Sequence, residues 1–69
     1  MRYTEFRSRI ETALLDAPQG LTWKMLRDQL ELPYERPCPE WTRRLETEIG
    51  LTRERAGGRA LVWRIAATH

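Results

Sequence analysis

The chain has 69 residues, of which 12 are basic and 10 acidic, so its formal net charge is +2. A chain of this length makes one small domain, and its core needs nearly all of the few large apolar side chains. This argues against a buried catalytic cleft, and no apolar run approaches the roughly 18 residues that span a bilayer.

The single cysteine and the single histidine limit the chemistry further. Cys38 and His69 can form neither an internal disulfide framework nor a Cys/His zinc site. The sequence also has no glycine-rich phosphate loop and no nucleophile motif. We therefore expect neither an enzyme nor a bound cofactor or metal. The first residues lack the apolar run of a signal peptide, and a cytoplasmic protein is expected.

The first predicted element is a helix over residues 4–17. Thr4 is placed to cap its N-terminus, and Pro18 and Gly20 are placed to end it. Its apolar side chains recur at spacings of three and four, which is one face of a helix. These side chains are Tyr3, Phe6, Ile10, Ala13, Leu14 and Ala17.

A second helix is predicted over residues 23–31, with Thr22 as its N-cap. Trp23, Leu26 and Leu30 form its apolar face, and Met25 flanks them. The segment 31–38 that follows is predicted to be irregular, because its prolines oppose a helix.

The third helix is predicted over residues 39–49. Pro39 suits the first helical position, and Gly50 suits the position just after the end. The apolar face of this helix consists of Trp41, Leu45 and Ile49.

After Gly50 the apolar period changes to two, which predicts strands over residues 51–55 and 59–65. The residues Ala56-Gly57-Gly58 between them suit a tight hairpin turn. A two-stranded hairpin alone is marginal in water, so its apolar face must pack on the helices. A short strand at residues 20–22 would make a third strand, and the tail 66–69 is expected to fray.

This element order resembles a winged helix-turn-helix domain of the α+β class. The residues that carry the resemblance are GLTWKMLRDQL, CPEWTRRLETEIG and LTRERAGGRALVWRI, within residues 4–65. The resemblance implies a third helix that enters the major groove of duplex DNA and a wing that contacts the backbone. The connection 31–38 is about twice the usual three or four residues between these helices, which puts the angle of the third helix in question.

On the third helix, Arg43 and Thr47 point outward, flanked by Glu40 and Glu46. Arg43 and Thr47 are the side chains expected to reach base edges. Arg44 lies toward one edge and is expected to contact a phosphate. The alternative is a solvated face on which Glu40 pairs with Arg43 or Arg44. The helix holds two arginines and three glutamates, and a net negative charge opposes contact with phosphate.

The positive charge of the chain is concentrated in residues 51–69, which hold four basic residues and one acidic residue. Arg53 and Arg55 share one face of the first strand, and Arg59 follows the turn. All three arginines suit contact with a phosphate backbone or a narrow minor groove. The alternative is an exposed edge strand that carries charge against aggregation. Arg64 is expected to be structural.

Three further basic residues, Lys24, Arg27 and Arg36, are placed to add phosphate contacts. The leading hypothesis is therefore a small transcriptional regulator or accessory factor that binds duplex DNA. It would act as a homodimer or together with a protein partner. The alternative is a protein–protein interaction module of winged-helix fold that does not contact DNA. No membrane and no small-molecule cofactor is expected.

Five residues allow two interpretations each. The three tryptophans could stack on single-stranded bases, but each falls on an apolar face and core packing is favoured. Tyr34 either covers the core from the side or is an exposed interface anchor. Cys38 precedes a helix N-terminus, where a thiol can be reactive, but a small buried residue is the favoured interpretation.

Overall fold

Helices form the first part of the chain and a strand pair the last part of it. The computed structural model describes residues 1–55, 58 and 60–65. These residues form three helices and a three-stranded antiparallel sheet, which confirms the α+β class and the predicted order of elements. The elements are α1 (Tyr3–Leu15), β1 (Leu21–Thr22), α2 (Trp23–Leu30), α3 (Pro39–Glu48), β2 (Leu51–Arg55) and β3 (Leu61–Ile65).

Helix α1 differs from its prediction at both ends. Arg2 is its N-cap and no side chain caps it, so the predicted cap at Thr4 is wrong. The helix starts earlier because Tyr3 is drawn into the core, where it is 8% exposed. It ends at Leu15, two residues before the predicted end, since the ring of Pro18 disfavours the helical conformation at the residue before it.

Helix α2 begins as predicted. The Thr22 hydroxyl accepts a hydrogen bond from the backbone N–H of Met25 at 3.2 Å, which is N-cap geometry. The helix ends at Leu30, because Glu31 adopts the left-handed conformation with φ 53°. Met25 does not join the apolar face and is 53% exposed.

The segment 31–38 contains no helix or strand, as predicted, but it contributes to the core. Leu32 is 6% exposed, and its backbone N–H donates to the Arg27 carbonyl at 3.0 Å. The sequence analysis did not identify Leu32 as a core residue, because it belongs to no periodic stripe.

Helix α3 has Pro39 at its first turn, as predicted. Thr42 is 3% exposed, and its hydroxyl donates to the Cys38 carbonyl at 2.8 Å. The helix ends at Glu48 with Ile49 as C-cap, one residue before the predicted end, and Gly50 follows with φ 70°.

The sheet has the strand order β1-β3-β2, so β3 is the central strand. The predicted third strand is confirmed, and Leu21 of β1 lies opposite Trp63 of β3. On the other side of β3, Arg53 of β2 lies opposite Trp63. Strand β3 begins at Leu61, two residues after the predicted start. The predicted turn residues Ala56 and Gly57, the site residue Arg59 and the tail 66–69 lie outside the described residues.

The core lies between the helices and one face of the sheet. Trp63 is 1% exposed at its centre, and its ring centroid lies 5.2 Å from that of Trp23. The core interpretation of Trp63 is confirmed, whereas Trp23 and Trp41 are half-buried at the margin. The buried apolar side chains are Tyr3, Phe6, Ile10, Ala13, Leu14, Leu26, Leu32, Leu45, Ile49, Leu51 and Trp63.

Candidate nucleic-acid interface

The exposed face of α3 presents the side chains that the sequence predicted there. Arg43, Arg44 and Thr47 are all exposed. They line a shallow groove of about 470 Å³ together with Glu40 and Glu48. The Thr47 hydroxyl donates to the Arg43 carbonyl at 3.4 Å. This face is therefore exposed and carries charged and hydroxyl side chains.

Strand β2 carries Arg53 and Arg55 on the sheet face that also carries the core residue Trp63. The register places Arg53 opposite Trp63 and Arg55 opposite Leu61, and side chains that face each other across paired strands share one face of a sheet. The Arg53 guanidinium carbon lies 5.8 Å from the centre of the Trp63 ring. The sheet thus directs Arg53 toward α3 instead of toward the open side of the strand pair.

Arg53 and Arg43 meet at a cleft between β2 and α3. The Arg53 Nη2 atom lies 3.4 Å from the Glu46 Oε2 atom, and this ion pair links β2 to α3. The cleft has a volume of about 170 Å³. Its lining consists of Pro37, Pro39, Thr42, Arg43, Glu46 and Arg53. Two of the predicted nucleic-acid residues, one from each element, are therefore brought to one concave surface.

A second ion-pair cluster joins α1 to the C-terminal turn of α3. Glu48 accepts from Arg7 at 2.5 Å, from Arg44 at 3.1 Å and from the Tyr3 hydroxyl at 3.1 Å. The Arg44 guanidinium carbon lies 3.8 Å from the centre of the Tyr3 ring, a cation–π contact. This cluster fixes the orientation of α3 on α1.

The same cluster shifts the pKa values of its members. Hydrogen bonds from Arg7, and then from Arg44 and Tyr3, lower the pKa of Glu48 despite some desolvation. Burial, and then the hydrogen bond to Glu48, raise the pKa of Tyr3. The hydrogen bond to Glu48 raises the pKa of Arg7. Glu48 is therefore held as a carboxylate, and the ion pairs of the cluster persist to lower pH.

Carboxylates of α3 pair with arginines on both sides of its exposed face. Glu46 pairs with Arg53, and Glu48 pairs with Arg7 and Arg44. The pairs of Glu40 with Arg43 or Arg44 that the sequence alternative proposed are not formed in the described part of the chain. Two of the three glutamates of α3 thus pair with arginines, two of which (Arg7 and Arg53) belong to other elements, so the net charge of the helix alone does not describe this surface.

The remaining predicted site residues are not gathered at this surface. Lys24 and Arg27 lie on α2, and Arg27 is paired with Asp28 at 3.6 Å. Arg36 is exposed in the segment 31–38. None of these three lines the groove or the cleft of α3.

Arg64 has the structural contacts that were expected of it. Its Nη2 donates to the Gln19 carbonyl at 3.2 Å, and its Nη1 lies 4.0 Å from Glu54. It thereby links β3 to the turn that follows α1.

The sequence analysis placed Glu46 beside Arg43 and Thr47 but missed its pair with Arg53, and it missed Glu48 and Arg7 as members of this surface. The spacing of Arg44 and Glu48, four residues on one helix, was a signal for one of these pairs. The other pairs join different elements, so spacing along the sequence contained no signal for them.

A further surface is a largely aromatic cavity of about 290 Å³ near the N-terminus of α3. Tyr34 covers the core there, with its ring centroid 5.9 Å from that of Trp41. Cys38 is exposed at this cavity, so the favoured interpretation of a buried cysteine is wrong. It is exposed because its backbone caps α3 while the adjacent aromatic rings fill the core. The cavity is lined by Met1, Phe6, Trp23, Tyr34, Cys38 and Trp41.

Within residues 1–55, 58 and 60–65, no group of three or more histidine, cysteine, aspartate or glutamate side chains is arranged to hold a metal ion. None of the helices in this part of the chain has the length and apolar character needed to cross a membrane.

Comparisons of the chain with protein-family models, with curated proteins and with solved structures found no match.

Proposed function

We propose that the chain is a winged-helix domain that binds duplex DNA, as a small regulator or accessory factor. In this proposal α3 enters the major groove and the β2–β3 strand pair lies against the backbone. The observation that carries the proposal is the cleft at which Arg43 of α3 and Arg53 of β2 meet. The Arg53 guanidinium suits a backbone phosphate at the edge of the groove, because its planar fork has donors to spare beside Glu46. Arg43, next to it on α3, is then placed to reach a base edge.

The position of Arg55 supports the same proposal. It lies two residues beyond Arg53 on the same face of β2 and is exposed. A backbone that contacts Arg53 would therefore reach Arg55 at the next phosphate. Contacts of this kind position a protein on DNA, and base contacts from α3 would supply the specificity.

Salt dependence of binding tests the proposal. A labelled duplex of generic sequence is titrated with the protein at several salt concentrations, and fluorescence anisotropy gives the Kd. The double variant Arg53→Gln/Arg55→Gln should bind more weakly, and its slope of log K against log salt should be smaller by about 2, since each phosphate contact contributes about 0.9. Glutamine keeps part of the aliphatic stem that packs on Trp63.

The matched control is Arg2→Gln/Arg9→Gln, which removes the same charge from the α1 side of the molecule. It should leave the slope near that of the wild type. Equal slopes for the two double variants would contradict the proposed contact of β2 with the backbone.

The aromatic cavity favours a second candidate, a protein-interaction module. Its lining is uncharged, and apolar pockets of this size can accept a single apolar group. Amide chemical-shift mapping with a generic duplex at low salt separates the two candidates. Shifts across residues 43–55 support DNA binding, and the absence of any shift there would leave the interaction module as the better proposal.

A further inference from the structure

Arg43 and Glu46 lie side by side on the surface of α3 that would face a DNA groove. They are three residues apart on one helix, so their side chains are neighbours. Both line the cleft between α3 and β2. Within the described residues Arg43 forms no ion pair, whereas Glu46 pairs with Arg53. A donor fork and an acceptor carboxylate are therefore presented together.

The Glu46 carboxylate is linked to the core residue Trp63 through Arg53. Arg53 binds its Oε2 at 3.4 Å, and the Arg53 guanidinium rests over the ring of Trp63. Trp63 is 1% exposed in the central strand, so its ring is a fixed base for this contact. A carboxylate accepts about four hydrogen bonds, so Oε1 can accept from a ligand while Oε2 remains bound to Arg53.

We propose that Glu46 is a specificity-determining residue that reads a cytosine, next to a guanine read by Arg43. This inference rests on the proposed function. In the major groove the N4 amino group of cytosine is a donor that suits a carboxylate, and the O6 and N7 atoms of guanine suit an arginine fork. Three residues of helix rise about 4.5 Å, which is close to the roughly 3.4 Å between base pairs, so the two bases belong to neighbouring pairs.

This role accounts for a carboxylate at a surface that would face a polyanion. A carboxylate repels phosphate and so weakens binding to unselected DNA. It also opposes thymine and guanine, which present the acceptors O4 and O6 at the same position. The higher affinity for sites with cytosine and the lower affinity for other sites together raise the ratio of specific to non-specific binding.

The experiment is selection from a pool of duplexes with a randomised centre, followed by sequencing, with wild type, Glu46→Gln and Glu46→Ala. The wild type should enrich adjacent guanine and cytosine. Glu46→Gln should keep the guanine and exchange the cytosine for adenine, which glutamine reads through N6 and N7. Glu46→Ala should keep the guanine and lose any preference at its neighbour.

Direct titration of the selected duplex gives the magnitude. Exchange of the selected cytosine for thymine should weaken the wild type about tenfold and leave Glu46→Ala nearly unchanged. Both Glu46 variants should bind an unselected duplex more tightly than the wild type. The control Glu35→Gln removes the same charge from the segment 31–38 and should retain the wild-type preference.

The outcomes separate this inference from the proposed function. Salt-dependent binding with the same preferred bases in all three proteins would overturn the role of Glu46 and leave DNA binding intact. Failure of the folded wild type to bind any duplex at low salt would overturn both. Far-UV circular dichroism establishes that each variant is folded before its base preference and affinity are compared with those of the wild type.

Discussion

At the scale of single residues, Gly20 has the least room for a side chain among the three glycines that the structure describes. Its φ is +91°, and a Cβ there would lie 2.4 Å from the Val62 Cγ1 and 2.8 Å from the Trp63 carbonyl oxygen. The carbonyl belongs to the backbone of the central strand and cannot move away cheaply. Glycine at this position lets the turn after α1 pass directly over β3.

Substitution of three glycines by alanine separates the cost of a close contact from the cost of a strained backbone conformation. Gly20→Ala should destabilise most, because it adds a close contact to a strained backbone. Gly50→Ala should cost about 1–2 kcal/mol, since Gly50 has a φ of +70° but open space around it. Gly58→Ala, with open space and no positive φ, should be nearly neutral. Urea unfolding gives the free energies, and a Gly20 variant as stable as the Gly58 variant would contradict the close packing.

Glu48 makes the stability of the fold depend on pH. Its pKa is lowered in the folded state by the hydrogen bonds from Arg7, Arg44 and Tyr3, relative to an ordinary value of 4.5. The folded state therefore binds a proton less readily than the unfolded state. The stabilisation is present above about pH 4.5 and is lost as the pH falls through the lowered folded pKa.

Glu48→Gln should accordingly be less stable than the wild type near neutral pH, and the difference should shrink in acid. Unfolding free energies at about pH 7 and about pH 3 measure this. Glu35→Gln serves as the control and should differ little from the wild type at both values. A gap between wild type and Glu48→Gln that stays constant over this range would contradict the role of the ion-pair cluster.

At the scale of elements, two threonines near helix starts have different roles. Thr22 accepts a hydrogen bond from the Met25 backbone, whereas Thr4 lies inside the first turn of α1 and makes no cap. The two threonines looked equivalent in the sequence. They differ because packing of Tyr3 into the core moves the start of α1 ahead of Thr4.

Alanine substitution at both positions tests this difference. Thr22→Ala should cost about 1 kcal/mol, because it leaves an N–H of α2 without its partner. Thr4→Ala should cost close to nothing, since Thr4 is exposed and alanine favours a helix. Urea unfolding of both variants measures the costs, and the reverse order would contradict the cap assignments.

The elements were predictable from sequence, whereas most contacts between them were not. Proline and glycine at Pro39 and Gly50 placed α3 to within one residue, because local backbone chemistry sets helix ends. Tyr3 and Glu48 meet across 45 residues, a pairing that only the folded arrangement creates. Likewise, the alternation of Arg53 and Arg55 placed them on one face of β2, but the sequence did not show that this face is directed toward α3.

At the scale of the whole molecule, the helices and the sheet both depend on strand β3. Strand β3 pairs with β1 and β2, and its Trp63 packs beneath the helices. Strand β3 therefore completes a core to which α1 contributes more buried side chains than any other described element. A domain of this size has a total stability of about 3–10 kcal/mol, so loss of one central side chain is comparable to the whole.

Trp63→Ala should therefore lower the unfolding free energy by about 3–5 kcal/mol, because a cavity replaces the largest fully buried side chain. The helical signal in circular dichroism and the fluorescence of the two remaining tryptophans should be lost together, since helices and sheet share one core. Trp41→Ala is the control, and its cost should be smaller because Trp41 is only half-buried at the margin. If the helical signal of Trp63→Ala were lost only at the urea concentration that unfolds the wild type, the helices would be stable without the packing of Trp63.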